Sequence, residues 1–131
     1  MWEHVGMGRT KEGLEEGLKM IADLRKEFDT NLFIPGSKEG LNVELDKAIH
    51  LRDFLLMGEL VAYDAISRNE SCGGHFREEY QTPEGEALRD DENYFYVGCW
   101  KYQNNDETAP ELLKEPLEYE AIKVQTRNYK N

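Results

Sequence analysis

The residues from Ser67 to Tyr80 bring two arginines, a histidine and three carboxylates together around two glycines. An ordinary exposed loop has no need of that density of charge. Arginine forks paired with carboxylates suit the fixing of a geometry between two surfaces. The alternative is an internal salt-bridge network. Arg89-Asp90-Asp91-Glu92-Asn93 continues the same chemistry. Arg68, Glu70, Ser71, His75, Arg77, Arg89, Asp90 and Asp91 are therefore the candidate contact residues, with a partner-facing role and no catalytic one.

Other spacings suggest chemistry but each has a plainer reading. Cys72 and His75 stand at C-x-x-H spacing and, with Cys99 and a carboxylate, His4 or His50, could complete a tetrahedral zinc site. The plainer reading is a small thiol beside a structural imidazole. His50 and Asp53 lie one helical turn apart, as an acid/base pair would, or on a solvated face. The Asp90-Asp91-Glu92 run could take a cation, although charge runs in turns are usually solvated. Gly6-Met7-Gly8 hints at a dinucleotide fingerprint, but Lys11 occupies the third glycine position and no strand precedes it. A glycine-rich helix junction accounts for it. Cys72 is the one candidate nucleophile, and His75 is too close along the chain for a triad to be judged.

The elements that must position these groups are legible from periodicity. Thr10 is a helix N-cap, and Leu14, Leu18, Ile21, Leu24 and Phe28 recur every three or four residues as one apolar stripe. Gly13 and Gly17 each weaken that helix by about 1 kcal/mol relative to alanine, so packing must hold it. Pro35-Gly36 breaks the chain. Asn42 caps a second helix expected to reach about Asn69. It carries two stripes, one of Leu45, Ile49, Leu56, Leu60 and Tyr63, the other of Leu51, Phe54, Gly58, Ala62 and Ala65, so it should be wedged between neighbours. Gly73-Gly74 stops it, and Thr82-Pro83-Glu84-Gly85 is a turn. Tyr94 to Tyr102 alternates like a strand buried on both faces, and Leu117 to Val124 is the expected returning strand, with Pro110 and Pro116 in the loop between. Trp2, Val5 and Met7 follow the first residue at helical spacing with no cap ahead of them, which suggests a segment cut from something longer.

The chain has 131 residues and a formal net charge of −11, enough length for one domain with a core. That charge repels phosphate backbones and anionic lipid, so nucleic acid is excluded as a partner. No apolar run approaches the roughly 20 residues of a membrane span. No secretory signal is visible. Two cysteines are too few for a disulfide scaffold, which points to a reducing, cytoplasmic setting.

On Arg68, Glu70, Ser71, Gly73, His75 and Arg77, followed by Arg89, Asp90, Asp91, Glu92, Asn93 and Tyr94, the chain resembles the C-terminal domain of the succinate dehydrogenase/fumarate reductase flavoprotein subunit. That family carries an R-x-E-S-R-G-x-H-x-R-x-D pattern after a long helix, then an R-D-D-E-N segment and an aromatic residue. This chain departs at Cys72, where many members have arginine, and at Glu79, where aspartate is frequent. The Cys72 version looks like the bacterial diheme-quinone-reductase branch. Trp2, Gly6, Gly8 and Arg9 resemble the start of the family's helical domain. L-aspartate oxidase and adenylylsulfate reductase share the architecture.

The resemblance implies a mainly α fold: an antiparallel bundle of three-helix type with its first helix truncated over 1–70, and a polar loop with a small antiparallel β ribbon over 71–131 as an extension of the same domain. It implies a parent subunit that binds FAD and interconverts succinate and fumarate, with this part holding no cofactor, metal or activity of its own. The implied partners are the flavin-binding and capping domains of the same subunit and the iron–sulfur subunit. A membrane cytochrome b subunit would be reached indirectly, with the parent complex peripheral on the cytoplasmic face of the inner membrane. The candidate contact groups would then be less satisfied here than in the intact subunit. A groove lined by the second stripe of the long helix would be exposed and drive self-association. The rival reading is a free-standing acidic interaction or metal-binding module.

Overall fold

The computed structural model describes residues 1–37, 39–103 and 108–126. The chain divides into two compact units, Met1–Ser67 and Arg68–Asn131.

In the first unit the residues ahead of Thr10 form a tight turn where helical spacing predicts a helix. The Val5 N–H donates to the Met1 carbonyl at 2.8 Å. Arg9 folds back, its Nε donating to the Gly6 carbonyl at 2.6 Å. A Cβ on Gly6 would stand 2.7 Å from the Trp2 carbonyl oxygen, so this turn requires glycine. After the two-residue strand β1 (Gly8–Arg9), the helix α1 (Lys11–Asn31) begins where expected. The Thr10 hydroxyl accepts the Gly13 N–H at 3.0 Å, satisfying one of the donors orphaned at a helix start. The helix α2 (Val43–Ser67) is capped by Asn42, whose Oδ1 accepts the N–H groups of Glu44 and Leu45 at 3.1 and 3.2 Å.

The core of this unit is small: Val5, Leu14, Ala62 and Ala65 are buried, with Leu18 and Ile66 packed against them. Close approach makes it possible. A Cβ on Gly17 would stand 3.1 Å from His4 Cβ and 3.2 Å from Val5 Cγ2, and one on Gly58 would stand 3.2 Å from Met1 Sδ. The helix-weakening glycine of α1 is thus the residue that lets the N-terminal turn pack onto it. Arg25 and Glu59 add a partly buried ion pair between α1 and α2.

The two stripes of α2 fare differently from expectation. Of the stripe expected to line an open groove, Gly58, Ala62 and Ala65 are buried while Leu51 and Phe54 remain exposed, as do Leu45, Ile49 and Leu56 of the other stripe. Small residues are covered because only they let helices meet at short range. The expected open groove over Gly58, Ala62 and Ala65 is therefore corrected.

In the second unit, β2 (Phe76–Arg77), α3 (Asp91–Tyr94), β3 (Tyr96–Lys101) and β4 (Glu111–Pro116) follow in order. β3 and β4 pair antiparallel from Tyr96↔Pro116 to Lys101↔Glu111. The returning strand is thus Glu111–Pro116 and not Leu117 to Val124, which carries no strand over its length. The nearer segment closes the shorter loop, and Pro116, which lacks an N–H, sits in the terminal pair. β3 is not buried on both faces either. Tyr96 is buried and Trp100 half-buried, but Val97 and Cys99 are exposed, because a two-stranded ribbon has no second layer to cover its outer face.

Candidate interdomain contact site

Among the candidate residues, Arg68, Glu70, Asp90 and Tyr94 come together first. Glu70 is only 2% exposed. Its Oε1 accepts from Arg68 Nη2 at 2.8 Å, and its Oε2 accepts the Asp90 N–H at 3.0 Å. The same Arg68 nitrogen donates to the Tyr94 carbonyl at 2.7 Å. The Arg68 guanidinium lies 5.7 and 5.1 Å from the ring centroids of Tyr94 and Tyr96, within the range of a cation–π contact. One buried carboxylate therefore ties the end of the polar run to the start of α3. Asp90 finishes that junction by capping α3, its Oδ1 accepting the Asn93 N–H at 3.2 Å.

Ser71 and Arg77 form the second cluster. Ser71 is fully buried, and its Oγ accepts the Arg77 N–H at 2.8 Å and donates to the Arg77 carbonyl at 3.1 Å. The chain between them turns through an isolated bridge of Cys72 and His75, which exchange backbone hydrogen bonds at 2.8 and 3.0 Å. Gly73 adopts φ +59° at this turn, a left-handed conformation that glycine takes at little cost. His75 Nε2 lies 3.0 Å from the Arg68 carbonyl. A carbonyl only accepts, so this nitrogen carries the proton. Arg77 is itself 2% exposed, pairs with Glu79 at 3.0 Å and lies 5.5 Å from the Tyr80 ring centroid.

Arg89 forms the third cluster. Its Nε donates to Asp91 Oδ1 at 3.0 Å and its Nη1 to the Gln125 carbonyl at 3.1 Å. The hydrogen bond to Asp91 raises its pKa above the ordinary arginine value, so it stays a cation. Tyr119 packs edge-on against Phe95 at 5.7 Å.

The internal network is thus realised: Arg68, Arg77 and Arg89 each have an intrachain carboxylate. The proximity of each arginine to its acid, two residues along the chain, makes local pairing cheap in entropy. The aromatic cage of Tyr94 and Tyr96 and the role of Gln125 escaped the sequence reading. The tyrosines were visible only as strand alternation, and nothing marked Gln125.

The other candidates fall apart. Cys72 and Cys99 are free and exposed, and among the described residues no three metal-ligating side chains converge. His50 sits 3.7 Å from Asp46 and stacks on Phe54, so Asp46 and not Asp53 is its neighbour. No helix among the described residues is long and apolar enough to cross a membrane.

Residues 1–129 match the family model described as fumarate reductase flavoprotein C-term. The chain belongs to this family. Among its relatives, the fumarate reductase flavoprotein subunit of Serratia sp. is 32% identical over 95% of this chain and 19% of its own length. The succinate dehydrogenase flavoprotein subunit of Rickettsia felis is 34% identical over 61% of this chain and 13% of its own length. The chloroplastic L-aspartate oxidase of Oryza sativa is 35% identical over 61% of this chain and 12% of its own length. A solved structure of E. coli quinol fumarate reductase, chain FrdA, shares the fold with TM-score 0.79 at 24% identity, over 96% of this chain and 20% of that one. This member of the fumarate reductase flavoprotein C-terminal family thus spans a fifth or less of each of these proteins. The polar clusters described above fall inside the matched residues.

Proposed function

We propose that this chain acts as the C-terminal accessory portion of a FAD-dependent flavoprotein subunit that interconverts succinate and fumarate. The observation that carries this reading is the family match across residues 1–129. Relatives named as flavoprotein subunits of succinate dehydrogenase and of fumarate reductase support it. The catalytic and flavin-binding groups belong to the remainder of such a subunit, and the work of this portion is positional. The hairpin from Arg68 to Arg77 and the segment Arg89–Asp91 present a preformed polar surface to the flavin-binding and capping domains. Their charges are already neutralised within the chain, so docking desolvates ion pairs and not lone ions, which costs less. The exposed turn Cys72-Gly73-Gly74 and the partly exposed carboxylates of Glu79 and Asp91 are the parts left to meet another surface. Support for assembly with the iron–sulfur subunit, with a membrane cytochrome b subunit reached indirectly at the cytoplasmic face of the inner membrane, follows from the same reading.

An L-aspartate oxidase-like parent is the second reading, favoured by the 35% identity to the rice enzyme. The Serratia fumarate reductase relative, however, extends over 95% of this chain against 61%.

The test is expression of this chain with and without the coding sequence upstream of Met1. The longer product is expected to be yellow and to reduce fumarate, and this chain alone to be colourless and inactive. An upstream frame without a dinucleotide-binding motif, or a longer product free of flavin, overturns the reading. A bulky Gly74→Trp change at the exposed turn should lower flavin retention in the longer product and leave the melting of this chain unchanged.

A further inference from the structure

The start of α2 stands almost bare: from Val43 to Phe54 every residue but Ala48 is exposed. On that stretch Asp46 and His50 lie one turn apart, at the spacing that puts two side chains on one face of a helix. His50 Nε2 and Asp46 Oδ1 are 3.7 Å apart, too far for a hydrogen bond. Neither side chain has a hydrogen-bond partner elsewhere among the described residues. Lys47, the cation next to Asp46 along the chain, is bonded to Glu44 at 2.8 Å. The imidazole lies against the Phe54 ring, with centroids 6.3 Å apart and planes inclined by 24°, which limits its swing away from the carboxylate.

A carboxylate and an imidazole at this separation fit one metal ion better than they fit each other. Ligands about 2.0 to 2.1 Å from an ion, at the angles of a four-coordinate site, lie about 3.4 to 3.7 Å from one another. An imidazole nitrogen selects a transition ion such as zinc over magnesium or calcium, which take oxygen ligands. The net charge of −11 draws cations to the surface of the chain. We propose that Asp46 and His50 form a two-ligand clamp for a divalent transition ion, with water in the remaining positions. Two protein ligands are fewer than structural or catalytic zinc has, so the ion exchanges freely. The clamp needs no third side chain, in keeping with the absence of a three-residue ligand cluster among the described residues. Closing a ring across one turn staples the exposed start of α2, which the Asn42 cap and the Glu44–Lys47 pair otherwise hold. This site is separate from the polar clusters and does not depend on how they dock.

The test is a titration of this chain with zinc chloride, the rings of His4, His50 and His75 being followed by NMR. Both exposed thiols are alkylated first, so that sulfur does not compete for the metal. His50 is expected to be the first ring to shift, with His4 and His75 in place. Asp46→Asn, which keeps the shape of the side chain, should weaken binding about tenfold, the lower end of what a lost supporting partner costs a metal site. Asp53→Asn, one turn beyond His50 on the same side of α2, removes the same charge without a ligand and should weaken binding less than about twofold. Amide exchange over residues 47–54 gives a second readout. At free zinc ten times the dissociation constant it should slow about tenfold in the unchanged chain, and about twofold in Asp46→Asn at the same zinc. Movement of His4 or His75 ahead of His50 overturns the proposal. So does an Asp46→Asn chain that binds zinc as the unchanged chain does, or an Asp53→Asn loss equal to that of Asp46→Asn. A shift of His50 with unchanged amide exchange overturns the staple.

Discussion

In the Met1–Ser67 unit the large side chain that is fully buried is Leu14, whereas in the Arg68–Asn131 unit it is Arg77. The first unit is built by contact between small residues. Gly17, Gly58, Ala62 and Ala65 let a turn and two helices approach until little space is left, and most large apolar side chains of α2 stay outside. In the second unit Tyr96 is the buried large apolar side chain among the described residues, and the buried Glu70 and Arg77, each hydrogen-bonded to a neighbour, fix its geometry. An apolar core is forgiving about direction, since dispersion and hydrophobic burial are nearly isotropic. A buried ion pair is not, because it repays its desolvation only with good geometry and full hydrogen bonding. The first unit therefore has apolar surface to spare for a partner, while the second has a defined polar shape.

That contrast can be broken at its strongest point by Leu14→Ala. Removing a fully buried leucine from so small a core should cost about 3 kcal/mol, read as a lower urea midpoint. A loss under a third of that would mean the unit relaxes into the gap and is less tightly built than described. Glu70→Ala attacks the other unit. It leaves the Arg68 guanidinium and the Asp90 N–H without their acceptor and is expected to cost about 2 kcal/mol, after allowance for the partial exposure of Arg68. Glu70→Gln, which retains an acceptor, should recover roughly half of that. Equal losses for both changes would show that the charge and not the hydrogen bonding holds the junction. The smallest effect sharpens the comparison from the outside. Phe54→Ser, at 68% exposure, should change stability by less than about 0.5 kcal/mol, since α2 does not use that side chain to hold its own unit together. A larger loss would place Phe54 in the core and remove the spare surface.

Much of this was legible in the chain. Thr10 and Asn42 announced both long helices because a cap is a local device: a side-chain oxygen two or three residues from the N–H it satisfies. Gly73-Gly74 and Thr82 to Gly85 announced turns for the same reason. The ion pairs Arg68–Glu70, Arg77–Glu79 and Arg89–Asp91 are local in the same way, each two residues apart. Apart from the N-terminal turn, where helical spacing predicted a helix, the failures were non-local. Leu117 to Val124 has the better alternation, yet Glu111–Pro116 took the pairing, because strand choice depends on loop closure and not on pattern alone. The stripe on α2 expected to line an open groove is covered at Gly58, Ala62 and Ala65 and exposed at Leu51 and Phe54, because periodicity reports that a face is apolar and not which neighbour reaches it.

By itself, the sequence determined the helices, their caps, the turns and the family to which the chain belongs, since these rest on residues that act over one or two turns of backbone or on a motif read as a string. Tertiary structure alone decided three things. It chose the face of α2 that meets α1, by the closest approach that small residues allow. It chose the segment that pairs with β3. It also decided that Arg68, Arg77 and Arg89 find their carboxylates inside the chain, because whether a buried charge is paired depends on where the backbone puts its partner, and that is settled only when the chain is folded.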